Sequence, residues 1–202
     1  MSHTCPWWFG YFLLNPLRRL AQRPRRLLGP FVRPGMLVVE PGCGMGFFTL
    51  DLVRMVGPEG RVVAIDLQEK MLAGLRRRAA RAGLGGRIDL RLARPERLGI
   101  DDLAGRTDLV LAFYVVHELR EPAAFFAEVA AALKPGGAVL VVEPPLHVSR
   151  AAFERSLAVA ESAGLRVAAR PRIGPGKAAL LAKRGPDSPA ERLDQHDVAA
   201  LP

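Results

Sequence analysis

Cysteine is scarce in this chain of 202 residues, which contains only Cys5 and Cys43, far apart in the sequence. Two such cysteines support neither a disulfide framework nor a cysteine-based zinc motif. The chain also lacks an apolar run long enough to span a membrane, and its N-terminus lacks the pattern of a signal peptide. We therefore expect a cytoplasmic protein in a reducing compartment.

Lysine is also scarce, with four residues against 25 arginines, although the formal net charge is +9. A basic protein is a candidate for binding nucleic acid, an anionic membrane surface or an acidic substrate. The arginines are scattered along the chain, which favours a compositional bias over a binding patch. We therefore regard nucleic acid as the less favoured partner. Half of the residues are hydrophobic, which is enough for a buried core and excludes overall disorder.

A glycine-rich segment is the most informative part of the sequence. An apolar run over residues 36–39 ends at Glu40, and Gly42, Gly44 and Gly46 follow before an apolar helical pattern begins. This order predicts a strand, a tight loop and a helix. A dinucleotide fingerprint requires its third glycine one residue later, and a P-loop requires a Lys-Ser/Thr pair that is missing here. The segment therefore predicts a different cofactor.

The rest of the chain alternates between strand and helix patterns. Strands are predicted at 61–66, 88–92, 107–113 and 138–142, and helices at 48–56, 68–82, 122–133 and from the Ser149 cap to 163. In the helix at 68–82, we expect the four arginines to point largely outward: Arg76, Arg77, Arg78 and Arg81. Two last strands, at 166–173 and 178–183, are joined by Gly174-Pro175-Gly176 and predict a hairpin. The pattern indicates an α/β fold with a mainly parallel sheet.

Together, the E-x-G-x-G-x-G segment from Glu40 to Gly46, Asp66 at the end of the second strand and the final hairpin resemble the class I S-adenosylmethionine (SAM) methyltransferases, in particular the type 11/UbiE-like group. The resemblance implies a Rossmann-like three-layer sandwich, with a mostly parallel seven-stranded sheet that ends in an antiparallel C-terminal hairpin. It also implies an enzyme of class EC 2.1.1.- with SAM as its cofactor. The expected domains are a helical lid at 1–30, the methyltransferase domain at 31–184 and a flexible acidic tail at 185–202.

The resemblance implies nine cofactor-binding residues: Glu40, Gly42, Gly44, Gly46, Asp66, Leu67, Arg94, Ala112 and Phe113. Glu40 is expected near the SAM amino group, and Asp66 is expected to accept hydrogen bonds from both ribose hydroxyls. The alternative role of Asp66 is to cap the following helix. Leu67 would flank the adenine. Arg94 departs from the family, because many members have an acid there. In those members the acid holds the adenine amino group. Here the Arg94 guanidinium is expected to stack on the adenine, or else backbone groups or Glu96 are expected to bind the amino group.

On the acceptor side, the resemblance places Tyr114 and His117 beside the transferred methyl group. His117 is a candidate general base, because its unperturbed pKa lies near neutrality, and the alternative is a histidine that only packs. Glu143 and His147 follow the fifth strand, and we expect them at the same rim as His117. A polar substrate pocket is favoured there over a metal site, since the spacing contains no compact ligand motif.

The N-terminal segment concentrates aromatic residues, including Trp7, Trp8 and Tyr11, ahead of an arginine-rich helical pattern. By the same resemblance, these three side chains would line the acceptor pocket. Three alternatives remain open: peripheral contact with a membrane interface, stacking on single-stranded bases, and a helix that only packs on the sheet edge.

These features predict a methyltransferase that modifies a small, apolar or aromatic molecule. Methylation of RNA or protein is the alternative, although the N-P-P-[YF] motif of base-nitrogen methylases is missing after the fourth strand. A third alternative is a SAM-binding regulatory protein without turnover, for which Arg94 is the best support.

Overall fold

The computed structural model describes residues 23–183. In this range the chain forms five α-helices and seven strands. The helices are α1 (Pro24–Leu28), α2 (Thr49–Val56), α3 (Glu69–Arg81), α4 (Pro122–Ala132) and α5 (Arg150–Ser162). The strands are β1 (Leu37–Pro41), β2 (Arg61–Asp66), β3 (Ile88–Leu92), β4 (Thr107–Phe113), β5 (Leu133–Glu143), β6 (Leu165–Ala169) and β7 (Lys177–Lys183). Between residues 23 and 183, no helix has both the length and the apolar character needed to cross a membrane.

The strands form one seven-stranded sheet in the order β3-β2-β1-β4-β5-β7-β6. Strands β1, β2 and β3 pair in parallel, as do β4 and β5, whereas β7 runs antiparallel to both β5 and β6. This is the class I methyltransferase fold that the sequence predicted, with its antiparallel C-terminal hairpin. The chain divides between Leu98 and Gly99 into two compact units, which are described separately below.

The first unit contains β1 to β3 with helices α1 to α3. Strands β1 and β2 are mostly apolar and buried, as expected of central parallel strands, whereas the edge strand β3 contains Asp89 and Arg91 and is partly exposed. The fully buried side chains include Val38, Val39, Leu52, Val53, Val62 and Leu75. Helix α2 ends at Gly57, whose φ of 70° lies in a region that glycine occupies without strain. The carboxylate of Asp51 in α2 is buried and lies 3.5 Å from Arg25 and 3.6 Å from Arg54.

The second unit contains β4 to β7 with helices α4 and α5. Helix α5 begins as predicted: the Ser149 hydroxyl accepts a hydrogen bond of 3.1 Å from the backbone N–H of Ala152. Pro122 occupies the first turn of α4, where its missing N–H has no helical partner to lose. Lys134 forms an ion pair with Asp108, and the Arg170 guanidinium binds both carboxylate oxygens of Glu154 at 2.9 and 2.7 Å.

Two strand boundaries differ from the predicted ones by several residues. Strand β5 begins at Leu133 rather than at 138, because Leu133 pairs with Thr107. Residues 134–137 then form an irregularity in the register, and regular pairing with β4 resumes with Ala138 opposite Leu109. Strand β6 covers Leu165–Ala169 and does not reach 173. Pro171 follows soon after, and a proline has no N–H to donate to a neighbouring strand.

Candidate functional site

The glycine loop, residues 42–46, connects β1 to the turn before α2. Gly42, Gly44 and Gly46 have φ values of 68°, 54° and 81°, a left-handed backbone that L side chains rarely adopt. A Cβ built on Gly44 would meet no atom within 4 Å, whereas one on Gly46 would lie 2.3 Å from Leu75 Cδ1. Gly46 is therefore required by packing, and the backbone at Gly44 faces open space.

Glu40, at the end of β1, lies under this loop with only 4% of its surface exposed. Its Oε2 accepts a hydrogen bond of 2.6 Å from the Thr49 hydroxyl, in the first turn of α2. Burial raises the pKa of the Glu40 carboxyl to about 8, while the bond from Thr49 lowers it and the nearby Asp66 adds a smaller upward shift. The buried carboxyl therefore favours its protonated form near neutral pH.

Asp66 ends β2 and reaches back to the glycine loop. One carboxylate oxygen accepts a hydrogen bond of 2.9 Å from the Gly44 N–H, and the other accepts one of 2.9 Å from the Gln68 N–H. Burial raises the pKa of Asp66, and these backbone donors oppose the shift. The carboxylate thus anchors the loop and supports the turn into α3. Each carboxylate oxygen has a second lone pair, so Asp66 can still accept the predicted hydrogen bonds from the ribose hydroxyls.

The two residues predicted to contact the adenine follow the ends of β2 and β3. Leu67 is 45% exposed, which is unusual for a leucine beside a buried strand. Arg94 is exposed and forms a two-residue bridge with Arg97, in which each backbone N–H donates to the other residue's carbonyl at 3.0 and 3.1 Å. This tight bridge fixes the backbone of Arg94. The role of its side chain at the adenine stays a prediction.

In the second unit, β4 ends at Phe113, after the fully buried Ala112. Tyr114 has a φ of 61°, which is rare for an aromatic residue, and its N–H donates to the Val142 carbonyl at 2.8 Å. The rings of Phe113 and Tyr114 lie 4.5 Å apart between centroids. This strained turn directs the chain into the short 3₁₀ helix Val116–Glu118, which carries His117.

His117 and Glu143 form a hydrogen-bonded pair, as the adjacency of β4 and β5 predicted. His117 Nδ1 lies 2.5 Å from Glu143 Oε2, and the His117 N–H donates to Oε1 at 3.3 Å. The carboxyl of Glu143 is 1% exposed, whereas the imidazole is 28% exposed. The hydrogen bond that His117 donates to Glu143 raises the pKa of His117, against the opposing effect of partial burial. The imidazole is therefore oriented with Nδ1 on the carboxyl, which leaves Nε2 to act on a substrate.

His147 is exposed in the loop after β5. Among residues 23–183, no group of three or more His, Cys, Asp or Glu side chains has the arrangement of a metal site. The substrate-binding roles of Tyr114, Glu143 and His147 remain predictions. Trp7, Trp8 and Tyr11, the predicted aromatic wall of the acceptor pocket, lie outside the described residues.

Sequence reasoning missed Thr49 and misjudged Arg78. A hydroxyl residue in the first helical turn after the loop was the available signal for Thr49, since such a side chain can reach back toward the strand end. Arg78 was predicted to point largely outward with Arg76, Arg77 and Arg81. Instead it is half-buried, and it binds the glycine loop.

Comparisons with known proteins agree with this geometry. A family model described as a methyltransferase domain matches residues 38–137, about half of the chain. The chain belongs to the class I SAM-dependent methyltransferases. A crystal structure of a SAM-dependent methyltransferase from Aquifex aeolicus matches with a TM-score of 0.75 at 24% identity, covering 88% of this chain and 99% of that chain. Membership of the family implies SAM as the methyl donor.

Two curated relatives indicate how far the similarity extends. The ubiquinone/menaquinone biosynthesis C-methyltransferase UbiE of Hydrogenovibrio crunogenus is 31% identical over 112 residues, which are 55% of this chain and 43% of the relative. The ribosomal protein L11 methyltransferase of Pelotomaculum thermopropionicum is 33% identical over 115 residues, which are 57% and 34% of the two chains. The matched part of this chain thus spans less than half the length of these relatives.

Proposed function

We propose that the protein transfers a methyl group from SAM to a small, apolar or aromatic acceptor. The observation that carries this proposal is the pair of carboxyl groups at the ends of β1 and β2, Glu40 and Asp66, on either side of the glycine loop. Both belong to the segment that the family model matches. Similarity to UbiE, which is named a ubiquinone/menaquinone biosynthesis C-methyltransferase, supports a small aromatic acceptor.

The chemistry of these residues fits SAM. Glu40 would face its ammonium group, and a carboxyl with a raised pKa becomes a carboxylate when a positive charge lies beside it. Asp66 would hold the ribose hydroxyls with its remaining lone pairs. The open space at Gly44 allows the backbone to approach the cofactor closely. Bound SAM supplies a methyl group on a positively charged sulfur, which is an electrophile with a good leaving group.

His117 would remove the proton from the acceptor. A carboxylate accepts hydrogen bonds, so the Glu143 contact fixes the imidazole proton on Nδ1 and leaves the Nε2 lone pair available. This pair resembles the base and orienting carboxylate of other proton-transfer sites. Because the pKa of His117 is raised, the base form increases as the pH rises through that value. Methyl transfer should then increase over the same pH interval.

Protein methylation is the second candidate function. It is favoured by one observation, the 33% identity to a ribosomal protein L11 methyltransferase. The net charge of +9 would also suit a polyanionic ribosomal target. The arginines are nevertheless scattered, and we therefore rank this function below methylation of a small molecule.

The test combines cofactor binding with methyl transfer. Calorimetry should detect binding of SAM and of its demethylated product to the full chain. Asp66→Ala should weaken binding by about ten- to a hundredfold, as expected for loss of a charged hydrogen-bonding group. Absence of cofactor binding to the wild-type protein would contradict the proposal.

Radiolabelled SAM should then be offered with a naphthoquinol, a simple phenol, ribosomal protein or ribosomal RNA. Label in the small aromatic probes supports the proposed function, and label in protein or RNA alone supports the alternatives. Binding of the cofactor without transfer to any probe would support a regulatory protein. His117→Ala should lower turnover on an acceptor with an ionisable hydroxyl and leave cofactor affinity unchanged.

A further inference from the structure

Helix α3 packs directly against the glycine loop through one face. A Cβ built on Gly74 would lie 2.9 Å from Met45 Cγ, and Leu75 Cδ1 occupies the space that a Cβ on Gly46 would need. Arg78 is four residues after Gly74, so that its side chain lies on the same face one turn later. The helix that follows β2 is therefore the support on which the loop rests.

The Arg78 guanidinium binds the loop through its carbonyl groups. Nη1 donates to the Met45 carbonyl and, at 2.9 Å, to the Gly46 carbonyl. In a trans peptide the C=O and the following N–H point in opposite directions. Holding these two carbonyls toward Arg78 therefore fixes the directions of the next two N–H groups, which are those of Gly46 and Phe47.

The loop is thus held by two opposite charges. Asp66 accepts from the N–H of Gly44 on one side, and Arg78 donates to the carbonyls of Met45 and Gly46 on the other. Two further bonds of 3.0 Å, from the Cys43 N–H to the Ile65 carbonyl and from the Gly46 N–H to the Cys43 carbonyl, complete the loop geometry. Glycines have the largest conformational freedom to lose, so a loop with three of them needs such anchors to remain in one shape.

We propose that Arg78 is a positioning residue for SAM, which holds the glycine loop in its cofactor-binding conformation without contacting the reacting atoms. The proposal rests on the proposed function, because it assigns Arg78 a role at that cofactor site. The loop is then already ordered in the free protein, so cofactor binding does not have to provide the free energy of ordering it. Preorganisation of this kind raises affinity without adding a contact to the ligand.

The test compares Arg78→Ala with Arg77→Ala, an exposed arginine on the same helix. Calorimetry with demethylated SAM should give an affinity for Arg78→Ala that is about tenfold weaker or more, and for Arg77→Ala one within about twofold of the wild type. Arg78→Lys, which keeps the charge, should recover part of the affinity and is also a second probe if Arg78→Ala folds poorly. Thermal unfolding without cofactor identifies the temperature at which each variant is fully folded.

A purely structural arginine would lower the unfolding temperature without changing the affinity of the folded protein. Wild-type affinity in folded Arg78→Ala, or equal losses in Arg78→Ala and Arg77→Ala, would overturn the proposal and leave the methyltransferase function intact. A wild-type protein that binds no cofactor would overturn both.

Discussion

At the scale of the residue, Glu40 makes stability depend on pH in a defined direction. Burial raises its pKa from 4.5 to about 8, so that between these values the folded state binds a proton that the unfolded state releases. The contribution of Glu40 to the free energy of unfolding is therefore fully present below pH 4.5. It decreases as the pH rises to about 8 and is constant above that pH. The slope in that interval is at most about 1.4 kcal/mol per pH unit.

We expect Glu40→Gln to lose this pH dependence, because the amide is neutral and its oxygen still accepts from Thr49. Denaturant unfolding of both proteins between pH 5 and 9 measures the effect. The raised pKa of His117 affects both proteins alike, whereas Asp66 interacts with Glu40, so the difference between the two curves measures Glu40 together with its coupling to Asp66. Glu59→Gln, at an exposed glutamate, is the matched control. Parallel curves for wild type and Glu40→Gln would refute the buried protonated carboxyl.

The sequence predicted which candidate side chains lie close together only where strand ends determine their position. Glu40 and Asp66 end adjacent parallel strands, and His117 and Glu143 follow another adjacent pair, so alternation of strands and helices was enough to predict their proximity within each unit. Thr49 and Arg78 depend on side-chain direction across a helix face. The composition gave no reason to select Arg78 as a site residue, because arginines are numerous and most of those on α3 are exposed.

At the scale of the element, α5 depends on its N-terminal cap. The Ser149 hydroxyl accepts from Ala152 N–H, one of the donors that the first helical turn leaves without a partner. We expect Ser149→Ala to lower the free energy of unfolding by about 1 kcal/mol. Denaturant unfolding at constant pH measures this loss.

Ser162, in the last turn of the same helix, is the control because its hydroxyl donates only to the Ala158 carbonyl at an exposed site. Ser162→Ala should change the free energy of unfolding by less than about 0.5 kcal/mol. Equal effects of the two substitutions would show that the cap contributes nothing specific.

The bounds of an element were predictable where its residues fit a strand pattern alone, and less so where residues typical of turns interrupt a strand. The bounds of β2, β3 and β4 agree with the sequence, because each is an uninterrupted strand pattern between clear turn signals. The Lys-Pro-Gly-Gly segment before residue 138 has turn composition, and it forms an irregularity between the Leu133–Thr107 and Ala138–Leu109 pairs, so β5 includes residues on both sides of it. A Cβ on Gly137 would lie 2.8 Å from the Thr107 carbonyl, so this glycine serves close strand approach as well as a turn.

At the scale of the whole molecule, the sequence predicted a mostly parallel sheet that ends in an antiparallel hairpin, but it did not predict the order of the strands. Alternating strands and helices fit several parallel sheets, but a last pair of strands without a helix between them requires antiparallel pairing. That pairing is present, with β7 between β5 and β6. The acceptor could not be predicted in the same way, since the residues predicted to contact it lie in loops and in the N-terminal segment, and the order of strands does not determine their chemistry.

The N-terminal aromatic segment provides the last prediction. If Trp7, Trp8 and Tyr11 line the acceptor pocket, removal of residues 1–14 should leave calorimetric binding of SAM within about twofold of the full chain, because the cofactor residues begin at Glu40. Methyl transfer to the naphthoquinol probe should fall by at least about tenfold, since burial of an aromatic ligand against such side chains contributes more than 1.4 kcal/mol. Removal of residues 185–202 is the control and should change neither quantity. A truncated protein that binds SAM and methylates the probe at the full rate would exclude the segment from the acceptor site and favour its packing or membrane-contact alternatives.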